Sequence, residues 1–561
     1  MKIKNIKKLC AVLSALCIAE AAFAAQTLRV VSREEDKTGV WADAYTSIAD
    51  AIAAANTGTE ASHDTILVAS GTYNIDDTII VPVDTRVWLA IRSANLETGE
   101  EDRDGTILDG GGSASIMKVQ SAAVRVSGFT FQNGSKASET YASSAGAAAI
   151  QITRHKVVVN NCVFRGNRSV NVAGTCVNCT EGTGNLTVSG CIFTNNTQEI
   201  SVSGANSAAK GVAIYSTVNT VTVKDCLFDG NSATAESANG LLMSGGSTGW
   251  AFDNCTFLTN TFTRSGTSSA RNSVGGSVNL KDSTMRNCRF SCNAFNATGS
   301  DTIYGSVLSV VGSCTLSNCT FTSIVDSNNS DRMYGTIYVN GNDVSFLDCS
   351  FTDNTVGKYF IDVHGKTNTL FRNCLFADNV RGTTAYRLIR QNGCPDGPGL
   401  IVENCTFANN TDTIGDTKVH IIGSGGGTSS CTNIYVNTVF TGYLHPKPSS
   451  MSTIAKNCCF GSLFDAPFLE KTDCFMISDV PGGDLKFIGA AEGNYQLQPK
   501  SPLREKGIVL PWMSVTATDL AGNLRVVSTE GEPLAVDPSA LPDIGCYECV
   551  LKPGGLIIIV W

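Results

Sequence analysis

The stretch Arg372–Asn379, "RNCLFADN", is one the chain keeps rewriting. Earlier it reads "NNCVFRGN" (Asn160–Asn167), "SGCIFTNN" (Ser189–Asn196), "KDCLFDGN" (Lys224–Asn231) and "DNCTFLTN" (Asp253–Asn260). Later it reads "ENCTFANN" (Glu403–Asn410). The motif cysteines are Cys162, Cys191, Cys226, Cys255, Cys288, Cys319, Cys349, Cys374 and Cys405, spaced by 25 to 35 residues. That is the period of a stacked array. Phe follows each cysteine by two, and Asn follows by five in eight of nine cases, Ile324 being the exception. Asn or Asp precedes the cysteine in eight of nine, Gly190 being the exception.

A separation of two puts Cys and Phe on one face of a strand. The residues ahead of the motif, such as "TVTVKD", alternate in the same sense, and the Asn after it suits a tight left-handed corner. Each period also carries an apolar segment opening near a glycine, such as "YGTIYVN" or "KGVAIYS". Two short strands and two turns per period cannot bury a face alone, but coils stacked about 4.8 Å apart can. Cys and Phe therefore stack inward, and the Asn residues form a ladder at one corner. Stacked cysteines point in parallel, slightly too far apart for a relaxed disulfide, so most are expected as free thiols.

This pattern resembles the right-handed parallel β-helix of the pectate-lyase-like superfamily, and the "GxxI" and "CxFxxN" segments are similar to the repeats of polymorphic outer-membrane proteins. The resemblance implies an all-β fold over about residues 60–465. The entry "AYTSIADAIAAAN" fits an N-terminal helix cap, with Thr46 or Ser47 capping and Ile48, Ile52 and Ala55 covering the first coil. After about residue 465, "GNYQLQPKSPLREKG", "TDLAGNLRV" and "PDIGCYE" resemble a choice-of-anchor domain, which implies a C-terminal cap and a cell-surface setting.

The expected organisation is a signal peptide over 1–24, a cap and first coils over 25–99, and repeats over 100–465. A C-terminal cap over 466–549 and a short apolar tail over 550–561 complete it. Lys2, Lys4, Lys7 and Lys8, an apolar run and "AFA" ending at Ala24 are the marks of a secretory signal. The protein is then expected to be secreted or held at a bacterial cell surface. Losing that segment moves the net charge from −9 to −12, an acidic balance that argues against nucleic acid as a partner. No other run reaches the length of a membrane-spanning helix.

Chemistry is harder to find. The resemblance implies acidic polysaccharides as partners, with an Arg or Lys base and Asp-bound calcium in lyases and clustered aspartates in hydrolases. Neither pattern stands in the sequence, and Asp76-Asp77 is the only Asp-Asp pair. The Cys176/Cys179 and Cys546/Cys549 pairs lie too far apart to share a zinc, so each is expected as a local disulfide or as ordinary thiols. Register supplies the sharpest candidate. With Ile337, Ile361 and Ile389 inward, Tyr338, Asp362 and Arg390 share one outward column, and Asn340, His364 and Asn392 a second. The same alignment puts Met243, Leu308 and Val310 outward in other coils.

In Tyr338, Asp362, His364 and Arg390, Arg390 would neutralise a sugar carboxylate and His364 or Tyr338 would act as base. Asp362 would orient His364 or bind a cation. The competing expectation is a solvated face with an ordinary Asp–Arg pair. The function expected is polysaccharide binding along the flank. A pectate-lyase-like lyase or glycosidase, and an adhesin or passive rod, are the alternatives.

Overall fold

The computed structural model describes residues 25–550 except 56–58, 60–61, 83–87, 121–122, 143–145, 154–155, 181–183, 203–207, 219, 238–239, 241–242, 245–248, 265–272, 275, 297–302, 326–332, 358, 382–386, 413–421, 425–429, 445–450, 464–467, 515 and 526–540. The expected signal segment 1–24 and tail 551–561 lie outside the described residues, as do His155, His420 and His445.

Three long sheets, every pairing in them parallel, wind through the described residues. Sheet I has sixteen strands from Thr27–Val30 to Glu470–Thr472, and sheet II has fifteen from Gly71–Asn74 to Phe475–Met476. Sheet III has twelve, from Ile79–Val81 to Ile422–Ser424. Each strand pairs with its equivalent one period away rather than with its chain neighbour, as in Val157↔Leu186↔Val221 and Phe164↔Phe193↔Phe228. The chain is therefore an all-β parallel β-helix, the fold the repeat predicts.

Alternation dictates the core. Lys156–Asn160 buries Val157 and Val159 and turns Lys156 out. All nine motif phenylalanines are fully buried. They stack face to face from Phe131 to Phe460, with ring centroids 4.4–5.7 Å apart. The strand repeat imposes that spacing on the rings. The ladder extends beyond the nine motifs at both ends: Phe129 takes the cysteine's place before Phe131, Thr438 takes it before Phe440, and Cys458 holds it again before Phe460. All twenty described cysteines are free thiols. A motif thiol turns back to the carbonyl two residues earlier, as Cys226 does to Lys224 O at 3.1 Å. Burial pushes the Cys191 thiol well above the usual range.

The corner asparagines form the expected ladder, but they are not the left-handed residues of the corner. The left-handed residues are those just before the cysteine, such as Asn254 (φ 52°) and Asn373 (φ 54°), and those just before the ladder Asn, such as Asn195 (φ 54°). The ladder Asn itself points inward. Asn260 Nδ2 donates to Phe228 O at 2.9 Å and to Asn293 Oδ1 at 3.0 Å, and its own Oδ1 accepts from Asn231 Nδ2 at 3.0 Å. The amide satisfies a corner carbonyl that would otherwise be buried without a donor. At the exception, Ile324 is buried in the slot and its backbone N–H donates to Asn354 Oδ1 at 3.0 Å.

The helix Ile48–Ala54 covers the first coil, with Ser47 as its N-cap accepting from Asp50 N at 3.2 Å. Ile48 and Ile52 are buried and Ala55 packs against the core. The C-terminal segment does not simply close the far end. It folds back along the outer face of sheet II, packing Leu485, Leu497, Leu503 and Ile544 on Val439 and Cys459. Tyr495 and Cys546 pack on Leu375, Ala377 and Ala408. The position just after the motif phenylalanine is small and apolar at Ala377 and Ala408, where earlier coils carry Arg165, Thr194 and Asp229.

Candidate functional site

Sheet III pairs Ile337↔Ile361↔Ile389 and Tyr338↔Asp362↔Arg390, and His364 with Asn392. The four expected residues thus lie on two adjacent strand positions of three successive coils. The same register corrects the neighbouring coils. Leu308 pairs with Ile337 and Val310 with Val339, so both face the core and Ser309 holds the outward position. Met243 pairs with Val278 in the inward line.

The face is not solvated as expected. Asp362 has no exposed surface and Arg390 only 8%. Arg390 grips the carboxylate with both prongs, Nε to Oδ1 at 2.8 Å and Nη2 to Oδ2 at 2.5 Å. Its guanidinium lies 4.1 Å from the centre of the Tyr359 ring. Burial works against the Arg390 charge, but the Asp362 hydrogen bonds and attraction hold its pKa above the usual value. The covering comes from the glycine that opens each apolar segment. Gly335, at φ +69°, crosses over the next coil so closely that a Cβ on it would lie 2.9 Å from Asp362 Cβ. Gly305 stands in the same way to Tyr338, at 3.1 Å.

His364 remains half-buried. Its Nδ1 lies 3.1 Å from Asn392 Nδ2, and its ring is 5.9 Å from that of Tyr338, which in turn is 4.8 Å from Tyr304. When the Asn392 amide donates, Nδ1 is the acceptor and the imidazole proton sits on Nε2. The edge then offers a hydrogen-bond donor beside two tyrosines. Asp362 does not orient His364, because its oxygens go to Arg390. Nor does it fit a calcium site, since a cation needs carboxylate oxygens that water or sugar can reach. Among the described residues no group of three or more His, Cys, Asp or Glu is arranged to hold a metal ion. Cys176 and Cys179 are buried in the core, and Cys546 and Cys549 in the C-terminal packing.

A second feature of sheet III escaped the sequence. Thr78, Ile80, Ser115, Met117, Lys118, Gln120, Lys136, Ala147, Gln151 and Thr153 line a cleft of about 530 Å³ in the N-terminal coils. Its floor is the outward line Ile80↔Lys118↔Gln151, and Lys136 reaches it from the strand Ser135–Ala142, the first of a shorter six-stranded parallel sheet. Lys118 falls in a coil lacking the Cys motif, so no alignment on cysteine flagged it.

No family model matches the chain, and no curated protein matches it. Among solved structures it is similar to the pectate lyase Pel9A, with 11% identity, TM-score 0.27, and 94% of this chain and 98% of that one covered. It is similar to a pectin methylesterase from carrot at 12% identity and TM-score 0.29, covering 59% and 85%. It is also similar to PfbA, a surface adhesin of Streptococcus pneumoniae, at 11% identity and TM-score 0.30, covering 65% and 87%. The parallel β-helix is defined by the chain's own register. Among the described residues no helix is long and apolar enough to cross a membrane.

Proposed function

We propose that the chain is an exported, surface-associated β-helix protein that binds an acidic polysaccharide along the outer face of sheet III. The observation that carries this reading is the make-up of one outward line. Lys118, Gln151, Tyr215 and Asn279 hold partly exposed positions in it, while Asn178, Ser309 and Tyr338 in the same register are buried. Amides, hydroxyls and aromatic rings are the groups that bind sugar hydroxyls and pack on sugar C–H faces. Among the described members of the line the only acid is Asp362, neutralised by Arg390, in a chain with 50 Asp and Glu against 41 Lys and Arg. Stacked strands about 4.8 Å apart repeat at close to the length of one pyranose ring.

Binding without cleavage is favoured because the one acid on this line is closed off from solvent. The test is retention of the purified protein by a panel of acidic and neutral polysaccharides in affinity electrophoresis, with parallel assays for unsaturated uronates and new reducing ends. Retention without products is the expected result. Products would make it a lyase or hydrolase, and no retention by any polymer would leave a passive rod.

A further inference from the structure

We infer that the cleft over the N-terminal coils of sheet III is a subsite for an anionic group, carboxylate or sulfate ester, on the sugar chain that binds this face. The inference rests on the polysaccharide reading above and adds where the charge is read. Two ammonium groups converge on the cleft from different elements, Lys118 from its floor and Lys136 from its wall. No carboxylate lines it among the described residues, although acids outnumber bases in the chain. Among the described residues neither lysine is engaged in an ion pair within the protein. In an acidic chain, that leaves positive charge concentrated in a concave polar site, where it attracts an anion rather than a neutral sugar.

The rest of the cleft suits a carbohydrate. Gln120, Gln151 and Thr153 offer amide and hydroxyl partners beside the lysines, and Ile80, 49% exposed, gives an apolar surface for a ring face. The floor spans three adjacent strands, two spacings or roughly 10 Å, enough for about two pyranose rings. Gly146, at φ +119°, keeps the wall close. A Cβ there would lie 3.1 Å from Gln151 Oε1 and 3.5 Å from Lys136 Cε. Lysines act as point charges and do not demand the paired geometry of an arginine fork, so the site takes either anionic group.

The test uses the full mature protein and three polymers: polygalacturonate, dextran sulfate and uncharged dextran. Lys118→Met with Lys136→Met keeps the aliphatic stems and removes both charges. It should weaken binding of the preferred anionic polymer about tenfold or more, the loss of two charge-assisted contacts. Lys500→Met, which removes an exposed charge on the C-terminal segment away from sheet III, should stay within about twofold. Lys118→Arg with Lys136→Arg should retain binding, and higher ionic strength should weaken the wild type more than the double Met variant. Preference for polygalacturonate assigns the carboxylate, and preference for dextran sulfate assigns the sulfate ester. Equal binding of dextran overturns the anionic assignment. A wild type that binds but a double Met variant no weaker than Lys500→Met overturns the cleft alone, leaving the flank reading standing. A wild type that binds no polymer overturns the flank reading itself, and the subsite with it.

Discussion

Arg525 donates its Nε–H to Asn373 Oδ1 at 2.9 Å, tying the C-terminal segment to a corner of the β-helix 152 residues earlier. Asn373 is one of the left-handed residues, and its Nδ2 donates on to Thr518 O at 2.9 Å. The corner thus exposes an amide that the returning chain can read on both sides. Asn437 and Asn457 repeat the arrangement with Ile508 O and Lys506 O, at 2.7 and 2.8 Å.

Arg525 has no exposed side-chain surface and also pairs with Glu548 at 2.6 Å. Arg525→Ala strands that carboxylate and should cost about 3–5 kcal/mol of the segment's docking. Limited proteolysis should then cleave residues beyond 480 first while the β-helix stays resistant. A variant as resistant as the wild type would show that apolar packing on sheet II holds the segment by itself.

The amide ladder predicts an asymmetry between two substitutions. Asn260→Ala removes the side-chain partner of Phe228 O and of the Asn231 backbone N–H in a buried corner, leaving Asn231 Nδ2 only Phe193 O, which should cost about 2–4 kcal/mol. Ile324→Asn restores the amide where the ladder is broken, offering an acceptor to Asn293 and a donor to Asn354. It should be neutral or stabilising. Denaturation midpoints of the two variants check this, and an equal loss in both would refute the ladder's role.

The thiols should separate sharply under native alkylation. The ladder cysteines are buried, while Cys292 is exposed and Cys474 is half-buried at the last coil. The hydrogen bond from Cys458 outweighs burial and lowers the Cys474 thiol to about 7. The thiolate is the reacting form, so the rate at Cys474 should rise as pH climbs through about 7 and level off above it. Mass mapping after iodoacetamide should find Cys292 and Cys474 modified and the nine motif cysteines untouched until the protein is denatured. Rapid labelling of Cys255 or Cys349 in the native state would contradict a packed ladder.

What the sequence made legible was whatever depends on period two within a coil: the Phe and Cys stacks, and the register of Tyr338, Asp362 and Arg390. What it hid depends on contacts between coils. The outward line is covered because Gly335 belongs to the coil before Asp362, a crossing no single period displays. Leu308 was misplaced because its strand position lies three residues after Gly305, whereas Ile337 lies two after Gly335, and a slip of one exchanges the faces. The flank docking of the C-terminal segment had a faint signal, the change from Arg165 and Thr194 to Ala377 and Ala408 after the motif phenylalanine.

The Asp362–Arg390 pair gives the decisive test of whether this face was built for packing or for chemistry. Removing one partner of a buried pair leaves an uncompensated charge, so Arg390→Met should destabilise by about 3–5 kcal/mol. Replacing both, as Asp362→Leu with Arg390→Met, removes the charge and its desolvation together and should recover most of that loss. Hydrogen exchange of the strands Tyr359–His364 and Arg387–Asn392 would read the effect where it arises. If the pair is structural, the double variant also keeps polysaccharide affinity, while His364→Ala, at the half-buried edge of the same face, weakens it. An Arg390→Met variant that loses less than about 1 kcal/mol would behave as an exposed ion pair does. The carboxylate and guanidinium would then be open to solvent and available to a sugar, and the solvated cluster expected from the sequence would be restored.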